Sequence, residues 1–326
     1  MHKRTRTALL VALLIACVLA TAFYFFERTP PRVARLLPES DAVVFVNLSA
    51  LLTATHFDRD AIGRSPSYQQ FIDATGILVE RDLERVAFAL NRMPNPAGPN
   101  GPVGYSEVFT GRFDRRRLEQ YLQTLATNQE NYLGHTIYAI PSEARTFRVT
   151  ILNDDTIAAS NMPTPEQIHA ILNRQQGLAN RFAGNTLLGA QYRDVPALSV
   201  AWGVGTLGLP FAQDGQVQAL GLALPLRADT ELVASLRFSP ALELRIDELA
   251  ATQAEAVASA RSLTSLLGLF RTLERGQQAR PHSPAELALQ QLIDSVVIEP
   301  RTQHGRERAT LTATLPAESL LHLALH

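Results

Sequence analysis

The feature that most constrains this chain is a run of 19 residues, Ala8 to Phe26 (ALLVALLIACVLATAFYFF), apolar apart from Thr21 and preceded by His2, Lys3, Arg4 and Arg6. As a helix it would be about 28 Å long, close to the hydrocarbon thickness of a bilayer. Three fates fit such a segment. A cleaved secretion signal has a shorter apolar core and a small-x-small site, which Ala20-Thr21-Ala22 supplies. Cutting there would leave Phe23, Tyr24, Phe25 and Phe26 as a greasy new terminus. Leu14-Ile15-Ala16-Cys17 resembles a lipoprotein acylation site, but Val18-Leu19-Ala20 follows where a polar tether belongs. Apolarity continuing past Cys17 favours the third fate, a retained anchor with its aromatics at the far interface. The short basic tail places the N-terminus in the cytoplasm and the body outside it. Arg28, Arg32 and Arg35 weaken that bias.

The rest of the chain is ordinary globular material. Of 326 residues, 46% are hydrophobic and 19% charged, with a net charge of -1, so no basic excess calls for nucleic acid. Lys3 is the only lysine, and the arginines are spread along the chain, as a coding bias would spread them. Cys17 is the only cysteine, which excludes disulfides, multi-cysteine zinc sites and a thiol nucleophile in the body.

Hydrophobic patterning divides the chain into an anchor (1–28), a spacer (29–36) stiffened by Pro30 and Pro31, and two α+β modules, 37–178 and 185–326. In the first, DAVVFVNLS, RVAFALN, YSEVFTGRF, HTIYAIP and the hairpin TFRVTILNDDTIAAS read as strands. Helices are expected after Pro66, after an Asp114 cap and from Pro165. In the second, PALSVAWGV reads as a strand, and QVQALGLALPL with ELVASLRF as a hairpin. A long helix is expected to begin near Ile246, and another to run to about Ile293. The strands SVVIEP and RATLTATL follow, with a closing helix from Pro316. The repeated order suggests a diverged duplication of antiparallel-sheet-plus-helix modules meeting near Gly177–Gly189.

The segments LLPESDAVVFVNLSALL, YQQFIDATGI and DLERVAFAL resemble a group of uncharacterised, membrane-anchored bacterial extracytoplasmic proteins. The resemblance implies fold and location, and it carries no activity to any residue.

Several motifs fail on inspection. Gly203-Val204-Gly205-Thr206-Leu207-Gly208 follows a strand, and Asp229 lies where a dinucleotide fold puts its ribose-binding acid. Such a site needs a helix starting in the glycine loop, and Pro210, Asp214 and Gly215 leave no room for one. His56, Asp58 and Asp60 offer three ligating groups within five residues but lack further ligands in a known spacing. No nucleophile elbow, Walker loop or zinc-protease motif occurs. No cofactor or metal is therefore expected.

Glu107 stands apart, because strand alternation puts it on one face with Tyr105, Phe109, Gly111 and Phe113. Desolvation among aromatics would raise its pKa, as a general acid requires, so it is the weak catalytic candidate. Arg112, Arg115, Arg116 and Arg117 form the only dense basic group of the body and suggest an anionic partner, such as lipid headgroups or a cell-wall polymer. Ile246, Leu249, Gln253, Ala256, Ala260, Leu263, Leu267 and Phe270 form a helical seam, read as core or as a partner surface.

The expected role is a non-enzymatic binding or structural component of the cell envelope. An envelope hydrolase with an unrecognised site and an assembly-platform subunit of a secretion or pilus machine are the alternatives. The expected ligand is lipid-like or peptidic, in an apolar groove between the modules bordered by Trp202, Gly203, Gly205 and Gly208.

Overall fold

The computed structural model describes residues 29–55, 65–96, 98, 101–142, 145–177, 184–213, 215–219, 222–227, 229–238, 241–276 and 284–316. The apolar segment with Cys17, the His56–Asp60 group and the closing helix after Pro316 lie outside these residues. Among the described residues no helix is long and apolar enough to cross a membrane.

The fold is α+β, built on one antiparallel sheet of 12 strands. From the first half it takes β1 (Ala42–Asn47), β2 (Leu83–Arg92), β3 (Val103–Gly111), β4 (Asn128–Tyr132), β5 (His135–Ser142), β6 (Arg145–Asn153) and β7 (Thr156–Ser160). From the second half come β8 (Ala201–Gly205), β12 (Leu232–Phe238), β13 (Leu242–Ala250), β14 (Val297–Gln303) and β15 (Arg306–Leu315). Strand order across the sheet is β14-β15-β13-β12-β8-β1-β2-β3-β7-β6-β5-β4. Three short strands, β9 (Ala212–Gln213), β10 (Gln216–Ala219) and β11 (Leu222–Arg227), form a separate sheet.

The halves meet edge to edge, β1 against β8, with Phe45 opposite Trp202 and Val43 opposite Val204. Alternation then assigns side chains to two faces. The first face carries Val43, Phe45, Ala87, Val108, Trp202, Val204 and Val233, which belong to one buried cluster running across the junction. Helices α1 (Arg32–Leu36), α6 (Glu166–Gln176) and α7 (Thr186–Gln191) contribute to that cluster through Ala34, Ile171 and Leu188. The remaining described helices are α2 (Leu48–Thr55), α3 (Pro66–Thr75), the one-turn α4 (Val79–Asp82), α5 (Arg115–Leu125), α8 (Gln253–Gly276) and α9 (Pro284–Asp294). Local signals for helix starts act as expected. Ser65 caps α3 ahead of Pro66, and the Asp114 carboxylate accepts from the Arg117 amide at 3.1 Å to cap α5.

Several expectations are corrected. The spacer is partly helical, because Val33, Ala34 and Leu36 present an apolar stripe to the core while Pro31 sits where no amide donor is needed. Residues 242–250 are a strand, and the long helix begins at Gln253 instead of near Ile246. Leu242, Leu244 and Ile246 alternate with Glu243, Arg245 and Asp247, the period of a sheet. PALSVAWGV is a strand only from Ala201, after a turn that holds Leu198 at φ 62°. QVQALGLALPL folds on itself as β10 and β11, while ELVASLRF pairs with β8 and β13.

Candidate ligand cavity

The second face differs between the halves. In the first half α3 and α5 cover it, and Leu118 and Leu122 pack with Ile77, Tyr138, Ile151 and Ile157 into a filled cluster. Phe71, Phe109 and Phe113 close its margins.

In the second half α8 lies over the corresponding face and leaves a cavity of about 280 Å³. The sheet supplies its floor in register: Leu232, Glu248 and Ala309 in one row, then Ile246, Leu311 and Ile298 in the next. Leu263, Leu266, Leu267 and Phe270 of α8 form the roof at positions i, i+3, i+4 and i+7. Leu224 and Leu226 of β11 close one side, Ile293 and Val296 another. Arg271 ties α8 to the end of α9, donating to the carbonyls of Ile293 (2.7 Å), Asp294 (3.0 Å) and Val296 (3.2 Å). Two of these carbonyls belong to the last turn of α9 and the third follows it, so the clamp stabilises that end of the cavity.

Glu248 is the one polar side chain in the lining. Its Oε2 accepts a hydrogen bond from Ser259 Oγ. Burial pushes its carboxyl above the ordinary range, and the Ser259 bond opposes that in part. Glu248 also borders a wider crevice of about 980 Å³ at the strand ends, shared with Glu39, Asp229, Glu231, Glu255, Arg227 and Arg306. It therefore stands where an apolar chamber meets a polar one.

On the first face of the same strands the charges are buried and paired. Arg308, fully buried, bridges Asp247 (3.0 Å) and Asp194 (3.1 Å). His304 Nδ1 lies 3.0 Å from Asp194, and Thr310 donates to Asp247 at 2.7 Å. Burial works against the Asp194 charge, but His304, Arg308 and Arg306 hold its pKa below the ordinary value. This network welds the segment after α7 to the second-half sheet.

The expected groove between the halves does not exist at Trp202. That ring is 4% exposed, stacked on Phe45 at 5.5 Å and met edge-on by Tyr192 at 5.2 Å. Both edges of β8 are hydrogen-bonded, so no cleft opens there. The glycines serve close packing instead. A Cβ on Gly203 would lie 2.8 Å from the Leu207 side chain, and one on Gly208 2.5 Å from Val217. Gly205 has φ +95°, and a Cβ there would sit 2.3 Å from the Asp41 carbonyl. No helix begins in this glycine loop, which runs through a turn and a 3-10 segment (Leu209–Phe211) into β9.

Glu107 lies opposite Phe88 and Ala159 on the second face, as its alternation requires. Burial alone pushes its pKa up to about 7. It makes no hydrogen bond or ion pair among the described residues, so no partner completes an acid–base pair. Of the arginine group, Arg115 pairs with Glu119 (2.8 Å) and Asp154 (3.7 Å), and Arg112 donates to the Arg81 carbonyl. Arg116 and Arg117 remain for any anionic partner at the start of α5. Among the described residues, no three His, Cys, Asp or Glu side chains are placed to hold a metal ion.

Sequence reasoning missed Glu248 and Ser259. The signal was present: in the alternating series Leu242, Leu244, Ile246, Glu248, the acid takes an apolar position, as Glu107 does on β3.

No known protein family matches the chain, and no curated protein matches it in sequence. Among solved structures, crystal form III of TP0453 covers 90% of this chain and 96% of its own at 9% identity, with a TM-score of 0.43. Crystal form I aligns at 11% identity with a TM-score of 0.40. A score below 0.5 does not establish a common fold.

Proposed function

We propose that this is a non-enzymatic binding protein of the cell envelope that holds a hydrocarbon chain beneath α8. Residues Ala8–Phe26 anchor it in the membrane as a single-pass segment, with the body on the extracytoplasmic side. The observation that carries the reading is the cavity, whose lining is aliphatic and aromatic except for Glu248. Its volume approaches the lower end of the range for small-molecule sites.

The lining favours one of the two ligand classes expected from the sequence. A peptide brings amide groups that cost about 1–3 kcal/mol each when buried without partners. Thirteen of the fourteen lining side chains offer none. A hydrocarbon chain has no such requirement, so it is the better occupant. The matching order of strands on either side of the β1–β8 junction, with α5 and α8 in equivalent places, supports a diverged duplication in which only the second copy kept an unfilled layer.

The test is a filling substitution. Ala309 is 2% exposed on the cavity floor. The protein should bind a fluorescent long-chain probe, and Ala309→Phe should abolish binding while the cooperative unfolding transition is retained. Undiminished binding in that variant would sink the reading.

A further inference from the structure

We infer that the cavity selects an amphiphile with a cationic, hydrogen-bond-donating head, a primary amine or ammonium, seated at Glu248 with its hydrocarbon chain beneath α8. This rests on the binding reading above and adds the chemistry of the head group.

Glu248 is the only side chain of the apolar lining that can address a head group, and it faces the polar crevice as well. Ser259 occupies Oε2, while Oε1 has no hydrogen-bond partner among the described residues. An acceptor is therefore presented where a chain anchored below would place its polar end.

Charge in the crevice points the same way. Its two arginines already have carboxylate partners: Arg227 forks onto Asp229, also in the crevice, at 2.9 and 2.8 Å, and Arg306 lies 3.5 Å from Asp194. Glu39 is paired with Arg174 at 2.7 Å. Glu231 accepts from the Gln191 amide at 2.9 Å, and Glu255 from the Ala251 backbone at 3.1 Å. Neither Glu231 nor Glu255 has a cationic partner among the described residues, and nor does Glu248. An anionic head would meet three carboxylates without a cationic partner and only arginines that already have a carboxylate partner. A cation would meet three acceptors in a partly desolvated setting, where attraction between charges is stronger than in water. Burial disfavours the ionised form of Glu248 in the empty protein, and a bound cation would relieve that cost.

The test uses the full chain in lipid nanodiscs with three twelve-carbon probes: dodecylamine, dodecanol and laurate. Binding is read from the shift in thermal unfolding, followed by fluorescence of the single Trp202. Ala309→Phe and Leu267→Phe serve as filling controls that cancel partitioning into the bilayer and leave Trp202 the single tryptophan. Dodecylamine should bind about tenfold or more tighter than laurate, a difference of about 1.4 kcal/mol. Dodecanol should fall between them, and Glu248→Gln should bring the amine within about threefold of the alcohol. Laurate binding as well as dodecylamine, or an amine preference that survives Glu248→Gln, overturns the head-group inference and leaves the cavity reading standing. Failure of all three probes to shift wild type more than the filling variants overturns both.

Discussion

The two helix-covered layers on the second face share a plan and differ in volume. Beneath α5, the aromatic rings of Phe71, Phe109, Phe113 and Tyr138 meet leucines and isoleucines and leave a closed core. Beneath α8, Leu263, Leu266, Leu267 and Phe270 meet a floor that includes Ala309, and about 280 Å³ stays unfilled. Both layers are apolar; they differ in side-chain bulk. Interiors normally pack as densely as organic crystals, so a hollow this size forfeits dispersion contacts that some other requirement must offset. Ligand binding is such a requirement. The carboxylates differ in parallel: Glu107 has no hydrogen-bond partner among the described residues, whereas Glu248 has Ser259 and an opening to the crevice.

Truncation separates the layers most strongly. Leu122→Ala, in the filled layer at 5% exposure, should cost about 2–5 kcal/mol in urea unfolding, whereas Leu267→Ala should cost less than half as much. Equal losses would mean that the hollow is already collapsed in solution.

The buried acid of the first half supplies the next contrast. Raising the Glu107 pKa from 4.5 to about 7 corresponds to a ceiling of about 3 kcal/mol. The folded protein holds this proton more tightly than the unfolded chain does, so the contribution is complete at low pH. It declines between about pH 4.5 and 7 and is constant above. Glu107→Gln should remove that decline, becoming progressively more stable than wild type as pH rises across the window. A difference independent of pH would show that Glu107 reaches solvent.

Enlarging a residue should act with opposite sign in the two layers. Ala159→Phe, beside Glu107 and 4% exposed, should overpack and cost about 1–3 kcal/mol. Ala309→Phe should be neutral or stabilising, because its ring enters existing space. Comparable losses from both would contradict the difference in packing.

The smallest expected effect is at Ser259. Ser259→Ala removes the donor to Glu248 and should raise that carboxyl's pKa further, read by carboxyl carbon NMR, with a stability loss of about 1 kcal/mol at neutral pH. An unmoved titration would mean that the hydrogen bond does not form in solution.

Much of the architecture was legible locally. Asp114 and Pro66 sit at the helix starts they suggest, and β1, β2, β3 and the β6–β7 hairpin fall where alternating or β-branched runs place them. β13 was missed because Ala, Leu and Glu around Ile246 favour a helix by composition while their alternation favours a strand; sheet pairing on both edges decided the contest. β4, NQENY, carries no apolar pattern and is a strand because β5 offers it an edge. Of the candidate site, the sequence showed Leu263, Leu267 and Phe270 of the roof as part of a helical seam. It missed Leu266, carried the seam back over Ile246 and Leu249 of β13, and did not show that the roof closes over unfilled space.

The sequence by itself determined most element types, the Asp114 cap, the absence of body cysteines and the presence of a bilayer-length apolar segment. Each follows from neighbours a few residues apart or from composition. Tertiary structure alone decided that β1 and β8 join the halves into one sheet, that Trp202 is core, and that the layer beneath α8 is hollow. Strand pairing and cavity volume depend on groups distant along the chain. A one-dimensional pattern records which side chains are apolar, but not whether those brought together fill the space between them.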